Sequence, residues 1–313
     1  MNLLQLLERQ VPFEKKELLA IIATASRRYK VYDIPKKDGK SVRTIAQPAP
    51  EVKLLQRILL DELIRKWPVH EAAAAYISER SIADHVRKHT RSKYLLKLDF
   101  KNFFPSITAA DIRQHALRHS NLGEDDLDIF VNIVAWLNKL DRSFGLSIGA
   151  PSSPAISNSI MFEFDERISS FCKELKVTYS RYADDLAFST MQEDTLKKVE
   201  VEVYRLISLI HSPKLALNEK KTVNVSNKYR RTLVGLTITP DQKVSLGRER
   251  KRDIRAKLYI YGKGYLKGED IAQLRGLLAY AWSIEPTFIL AMAKKQGNEL
   301  FAQLNLPFRT LTK

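Results

Sequence analysis

The stretch Val177-Thr178-Tyr179-Ser180-Arg181-Tyr182-Ala183-Asp184-Asp185-Leu186-Ala187-Phe188 decides how this chain is read. β-Branched and aromatic residues lie on both sides of two adjacent acids, which predicts a hairpin over Val177 to Thr190 with the acids at its turn. Neighbouring aspartates in a β-rich run are locally unfavourable, because Asp is a poor strand former and like charges raise each other's pKa. A turn accounts for the backbone. Bound divalent cations would account for the charge, since hard ions such as Mg²⁺ take carboxylate oxygens.

Leu95-Leu96-Lys97-Leu98-Asp99-Phe100 is an apolar strand, expected over Tyr94 to Phe100, that ends on a lone acid. Beside the hairpin, it would bring Asp99, Asp184 and Asp185 into one small volume, the arrangement of a two-metal site with ions about 4 Å apart. On pattern alone, ordinary turn and strand-end acids fit these residues equally well.

The 313 residues carry 52 Lys plus Arg against 36 Asp plus Glu, a net charge of +16. With 44% apolar and 28% charged residues, the disordered and fibrous classes are excluded. The length suits two domains or one multi-lobed unit. A single cysteine, Cys172, predicts a reducing, cytoplasmic setting and reads as a core residue. The opening Met1 to Arg9 reads as a short amphipathic helix rather than a leader, and no run approaches the ~18 apolar residues of a membrane span. The expected partner is therefore a polyanion, nucleic acid first and an acidic membrane surface second.

Working outward, residues 1 to 30 read as helical, and Tyr29 to Ile34 and Ser41 to Ile45 as strands joined by a cationic Asp-Gly turn at Pro35 to Lys40. Helices are expected over Glu51 to Trp67, Ser81 to Thr90, most of Asp111 to Leu140, and Glu193 to His211. A Gly/Ser/Pro-rich loop, Gly145 to Pro154, opens one more helix reaching about Leu175. Thr222 to Val225 and Thr232 to Thr239 read as short strands, and from Pro240 the chain is helical and basic.

Taken in order, Lys97-Leu98-Asp99-Phe100-Lys101-Asn102-Phe103-Phe104-Pro105-Ser106-Ile107, Gly149-Ala150-Pro151-Ser152-Ser153-Pro154-Ala155-Ile156-Ser157-Asn158 and Tyr182-Ala183-Asp184-Asp185 resemble motifs A, B and C of reverse transcriptases. Lys36-Lys37-Asp38-Gly39-Lys40 with Arg43 to Pro48 looks like the fingers hairpin, and Leu217-Asn218-Glu219-Lys220-Lys221-Thr222 like motif D. Among these enzymes the chain most resembles the bacterial retron reverse transcriptases, through Phe103 to Ser106, Gly149 to Pro154 and Val244 to Arg250. Three positions depart from the pattern. Ile148 stands where Gln usually precedes the motif B glycine, only His89 matches the Asn-Ala-x-x-His element, and Leu233-Val234-Gly235 stands for Val-Thr-Gly.

The resemblance implies an α+β right-hand polymerase with an antiparallel palm sheet and helical fingers and thumb. The expected division is N-terminal helices and fingers at 1–92, palm at 93–110, a helical insertion at 111–148, palm again at 149–239, and a basic thumb at 240–313. It implies RNA-directed DNA synthesis on two Mg²⁺ ions held by Asp99, Asp184, Asp185 and the backbone carbonyl of Phe100. Lys221 would act as the motif D acid, with Lys220 as a rival for the role. Lys36, Arg43, Asn102, Phe103, Phe104 and Pro151 would meet the deoxynucleoside triphosphate, Phe104 by blocking a ribose 2′-hydroxyl. Arg248, Arg250, Lys251, Arg252, Arg255 and Lys257 would bind RNA. Arg230 to Lys313 carries 16 Lys or Arg against 7 acids, and Tyr259, Tyr261 and Tyr265 interleave with those charges, suited either to stacking on bases or to core packing.

By the same resemblance, the partners are a cognate retron noncoding RNA, its branched multicopy single-stranded DNA (msDNA), and an effector protein of the same operon, in defence against phage. A group II intron-like enzyme and a non-catalytic RNA-binding antitoxin or scaffold are the rival readings. The pairs His85/His89 and His115/His119 share helical faces but lack the other features of a zinc site, and Gly262-Lys263-Gly264 is not a P-loop.

Overall fold

The computed structural model describes residues 2–36, 39 and 41–304; Lys37, Asp38 and Lys40 of the expected hairpin turn, and the expected thumb beyond residue 304, lie outside them. From the N-terminus, α1 (Leu3–Gln10) and α2 (Lys15–Thr24) lead to β1 (Tyr29–Pro35) and β2 (Val42–Pro48), then α3 (Pro50–Glu62), α4 (Ile82–Arg87) and β3 (Tyr94–Asp99). Next come α5 (Phe103–Ser106), α6 (Ala109–His119), α7 (Glu124–Val134), β4 (Trp136–Leu137), β5 (Phe144–Gly145), α8 (Ser153–Ile160) and α9 (Phe162–Glu174). β6 (Thr178–Tyr182), β7 (Asp185–Thr190) and α10 (Thr195–Leu209) follow. The chain then forms β8 (Val223–Ser226), β9 (Arg231–Leu233), β10 (Leu236–Ile238) and β11 (Val244–Ser245), and ends in α11 (Arg248–Gly262), α12 (Glu269–Ile284), α13 (Pro286–Gln296) and α14 (Asn298–Gln303).

Two compact units result: Met1–Ser78, Leu98–Leu186 and Lys197–Thr222 form one, and Glu79–Lys97, Ala187–Leu196 and Val223–Lys313 the other. In the first unit α7 is the hub, packing on α1, α2, α3 and α6. Its Leu127, Phe130, Val131 and Val134 are buried, as are Leu3, Leu7, Leu18 and Leu59 on the helices around it. Each such side chain contributes about 1.5–3 kcal/mol on burial. The second unit has its own core, where Leu233, Leu236 and Ile238 meet Ile254 and Leu258 of α11, Leu274 and Leu278 of α12, and Ile289 of α13.

The four-stranded sheet has the order β6-β7-β3-β8, and β3 runs antiparallel to β8 with Tyr94 opposite Ser226 and Lys97 opposite Val223. The Leu98–Asp99 end of β3 and the Asp185–Leu186 start of β7 belong to the first unit. β1 and β2 pair antiparallel from Tyr29 opposite Pro48 to Pro35 opposite Val42.

The structure refines three local expectations. Helix does not continue to Leu140: α7 stops at Val134, and Trp136–Leu137 pairs with Phe144–Gly145. The side chains of Asn138 and Asp141 accept from the backbone N–H groups of Leu140 and Ser143, turning the chain between those strands. The helix after the Gly149 loop is two helices, α8 and α9, divided at Met161, where φ is -77° and ψ 0°. Thr232 to Thr239 is the hairpin β9–β10, with Val234 and Gly235 at φ 44° and 81° forming the two-residue turn. Among the described residues, no helix is long and apolar enough to cross a membrane.

Candidate active site

The turn between β6 and β7 holds Ala183 and Asp184, and Asp185 is the first residue of β7. Ala183 sits at φ 57°, a region that costs an L-residue about 1–2 kcal/mol. The Phe100 N–H donates to the Asp184 carbonyl at 3.0 Å, tying the end of β3 to this turn. On its other side, Asp99 meets the segment after α10: its carbonyl accepts from the Asn218 N–H at 2.7 Å, and the Lys101 N–H donates to the Ala216 carbonyl at 2.8 Å. Sequence-distant aspartates are therefore brought together by backbone hydrogen bonds.

The side chain of Asp99 is only 6% exposed and accepts from Lys221 Nζ at 2.8 Å. Lys220 and Lys221 are both exposed, but the Nζ that reaches Asp99 is that of Lys221. Burial opposes the Lys221 charge, but the hydrogen bond and charge of Asp99, with Asp184 and Asp185 behind, outweigh it and hold the ammonium above its usual range. Burial first, and the Asp99 carboxylate second, push the Asp184 carboxyl up; its backbone hydrogen bond, Lys221 and Arg43 offset this in part. Among the described residues, no three His, Cys, Asp or Glu side chains stand together so as to hold a metal ion. The Lys221 ammonium neutralises Asp99.

Arg43 is exposed on β2 and lies within electrostatic reach of Asp184. Lys36 is exposed at the end of β1, where its N–H donates to the Ser41 carbonyl at 2.8 Å. Asn102, at φ 50°, opens α5. Phe103, expected to face the nucleotide, is buried at 3% exposure and stacks on Phe100 at 5.7 Å, whereas Phe104 is half-buried. Of two chemically identical adjacent rings, that of Phe103 is the one taken into the core. Half-buried Pro151 follows a loop seated on β2, where the Ala46 N–H donates to the Ile148 carbonyl at 2.9 Å. Gly149 is required in that loop: at φ 123°, a Cβ would stand 3.0 Å from the Ala46 carbonyl oxygen.

Sequence reading passed over two groups. Tyr76 is 56% exposed at φ 61°, an outlier for an aromatic residue. Its phenol is pushed up by burial of the hydroxyl and then by Asp184, placing it near the acids. The other is a fully buried ion pair between Arg181 on β6 and Asp165 on α9. Asp165 lies in the Ile168/Cys172 stripe that faces the sheet, and an acid in such a stripe is the signal that points to a buried partner.

In the second unit α11 carries the predicted RNA-facing cations. Arg248 and Arg252 are exposed, Lys257 is half-buried, and Arg255 lies over the Phe288 ring at 5.2 Å. Arg250 lies over Tyr280 at 5.1 Å, and Lys251 pairs with Glu285. Tyr259 and Tyr265 are exposed, whereas Tyr261 packs on the core. Beside this helix, a cavity of about 960 Å³ is lined in part by Arg87, Lys88, Arg91, Lys243 and Lys251. His85 and His89 of this unit are buried, and loss of water lowers them to about 4 and about 3; His89 Nδ1 is 2.8 Å from Ser189 Oγ.

Residues 34–238 match the reverse transcriptase (RNA-dependent DNA polymerase) family, which makes this a nucleotide polymerase. The chain is 42% identical over 273 residues to the retron Ec83 reverse transcriptase of Escherichia coli, covering 86% of this chain and 87% of that one. It is 32% identical over 307 residues to the retron Ec86 reverse transcriptase of the same organism, covering 95% and 91%. The chain belongs to the reverse transcriptases, and among them to those of bacterial retrons. It is an RNA-directed DNA polymerase with a right-hand fold, it acts on nucleic acid, and its family works with divalent metal ions. The donors here fit such ions: they are hard carboxylates, and the Asp99 charge pushes the Asp184 carboxyl up.

Proposed function

We propose that Asp99, Asp184 and Asp185, with the Phe100 carbonyl, hold two Mg²⁺ ions for RNA-templated addition of deoxynucleotides. The observation that carries this reading is the meeting of buried Asp99, at the end of β3, with the β6–β7 turn, where its charge pushes the Asp184 carboxyl up and one cation, Lys221, already answers it. Bound ions supply Lewis acidity to the attacking hydroxyl and to the triphosphate. Lys36 and Arg43 hold the triphosphate, the planar Arg fork suiting phosphate oxygens. Asn102 and Pro151 line the nucleotide, and Phe104, backed by buried Phe103, excludes a ribose 2′-hydroxyl. Lys221 keeps its proton at neutral pH and gives it to departing pyrophosphate.

The fingers are residues 1–92, the palm 93–110 and 149–239 around the insertion at 111–148, and the thumb 240–313. Arg248, Arg250, Lys251, Arg252, Arg255 and Lys257, with the cation-lined cavity beside them, hold RNA phosphates. In the cytoplasm, the enzyme copies part of a cognate structured noncoding RNA from an internal guanosine 2′-hydroxyl into msDNA, which it keeps. It serves antiphage defence with an effector protein of the same operon.

Nucleic acid extracted from the purified protein tests this. The expected result is a small DNA that shifts in size on RNase treatment and retains a branched ribonucleotide. A DNA unchanged by RNase, extended from a free 3′ end, would replace the retron-type priming with that of a group II intron-like enzyme.

A further inference from the structure

Arg181 is 0% exposed, and its donors serve two different structures. Nε and Nη2 grip Asp165, at 2.9 and 2.6 Å, while Nη1 donates to Asn158 Oδ1 and to the Ala183 carbonyl, each at 3.1 Å. Tyr179, two residues back on the same face of β6, donates its hydroxyl to Asp165 at 2.6 Å. The main chain is engaged as well: the Arg181 N–H donates to the Ala72 carbonyl at 2.8 Å, and its own carbonyl accepts from Ala74 at 2.7 Å. Asn158 Nδ2 donates to the Ala75 carbonyl at 2.8 Å. One residue thus fastens the carbonyl just before Asp184 and, with Asn158, the segment leading into Tyr76.

Core filling alone would not call for this arrangement. A buried ion pair gives back most of its attraction as lost hydration, and apolar side chains of similar volume fill the same space at no loss of stability. What they cannot do is donate to a carbonyl whose residue is held at φ 57°. We propose that Arg181 is a positioning residue for nucleotide addition: clamped by Asp165 and Tyr179, it fixes the Ala183 carbonyl and so the direction of Asp184 and Asp185. This rests on the reading of Asp184 as a metal-holding carboxylate.

The test compares wild type, the double variant Arg181→Met/Asp165→Leu, Arg181→Lys and Asp184→Asn as full-length protein. In the double variant, single-turnover nucleotide addition is expected to slow about a hundredfold, the scale of a misplaced reacting group. Manganese binding, followed by electron paramagnetic resonance without turnover, weakens about tenfold, a loss of about 1.4 kcal/mol. Hydrogen exchange at the turn quickens, while template affinity holds. Arg181→Lys keeps the charge opposite Asp165 but lacks the second arm for Ala183, and is expected to stay slow and to bind manganese weakly. A folded double variant with the wild-type rate and manganese affinity overturns the proposal, as does full restoration of both by lysine. If the double variant fails to fold, the lysine variant decides alone. An active Asp184→Asn would sink the site reading itself; an inactive Asp184→Asn beside wild-type behaviour in the Arg181 variants sinks only the positioning role.

Discussion

Arg181 of the first unit is 0% exposed and makes hydrogen bonds to Asp165, Asn158 and Ala183, whereas Arg248 and Arg252 on α11 of the second unit stand in solvent above a helix that buries Ile254 and Leu258. Both regions use arginine, to different ends. In the first, each donor has an assigned acceptor, so charge sets geometry and a small displacement matters. In the second, charges ride on flexible stems, so they supply attraction that many phosphate positions can satisfy and that salt screens.

The contrast breaks first at Asp99. Asp99→Asn is expected to cut single-turnover nucleotide addition about a thousandfold, about 4 kcal/mol of barrier, with RNA binding intact; a variant still active at the wild-type rate would remove the acids from the chemistry. Next, Lys221→Gln should slow the same step about a hundredfold, the usual scale for a lost general acid, and flatten the basic limb of the pH–rate profile. Lys220→Gln, lacking that contact, should leave both unchanged. The opposite behaviour belongs to α11: in Arg248→Gln/Arg252→Gln, each lost phosphate contact should lower the slope of log affinity against log salt by about 0.7, with the rate at saturating template preserved. A filter-binding series over salt concentration reads this directly.

A further effect is on stability and arises in the second unit. His85 and His89 are lowered from 6.5 to about 4 and about 3 when folded, so between these values and 6.5 the unfolded chain binds more protons. Stability is therefore whole above 6.5 and lost as pH falls toward the folded values. Urea midpoints at pH 7, 6 and 5 measure the slope, and His89→Gln should reduce it.

The hairpin around Asp184 and the strand ending at Asp99 were legible because acids interrupt runs of strand-forming residues, and interruption is a local signal. The β4–β5 pair was not, since two-residue strands have no periodicity and the turn between them is made by the side chains of Asn138 and Asp141. The β9–β10 turn was hidden because Val234 disfavours the left-handed backbone it adopts. At the site, adjacent Lys220 and Lys221 are equivalent in sequence, and only the approach of Asn218 to Asp99 turns one of them inward. Phe103 and Phe104 posed the same difficulty, settled by stacking on Phe100. The Arg181–Asp165 pair escaped notice because each residue alone looks like surface charge, and their meeting depends on α9 packing on β6.

That network also constrains how the enzyme can be altered. Positions 158, 165, 179, 181 and 183 share one set of donors and acceptors, so substitutions among them will combine non-additively. A designer who transplants Tyr182 to Asp185 into another scaffold moves the acids but leaves behind what aims them. A graft must carry the α9 acid and the α8 amide along with the turn.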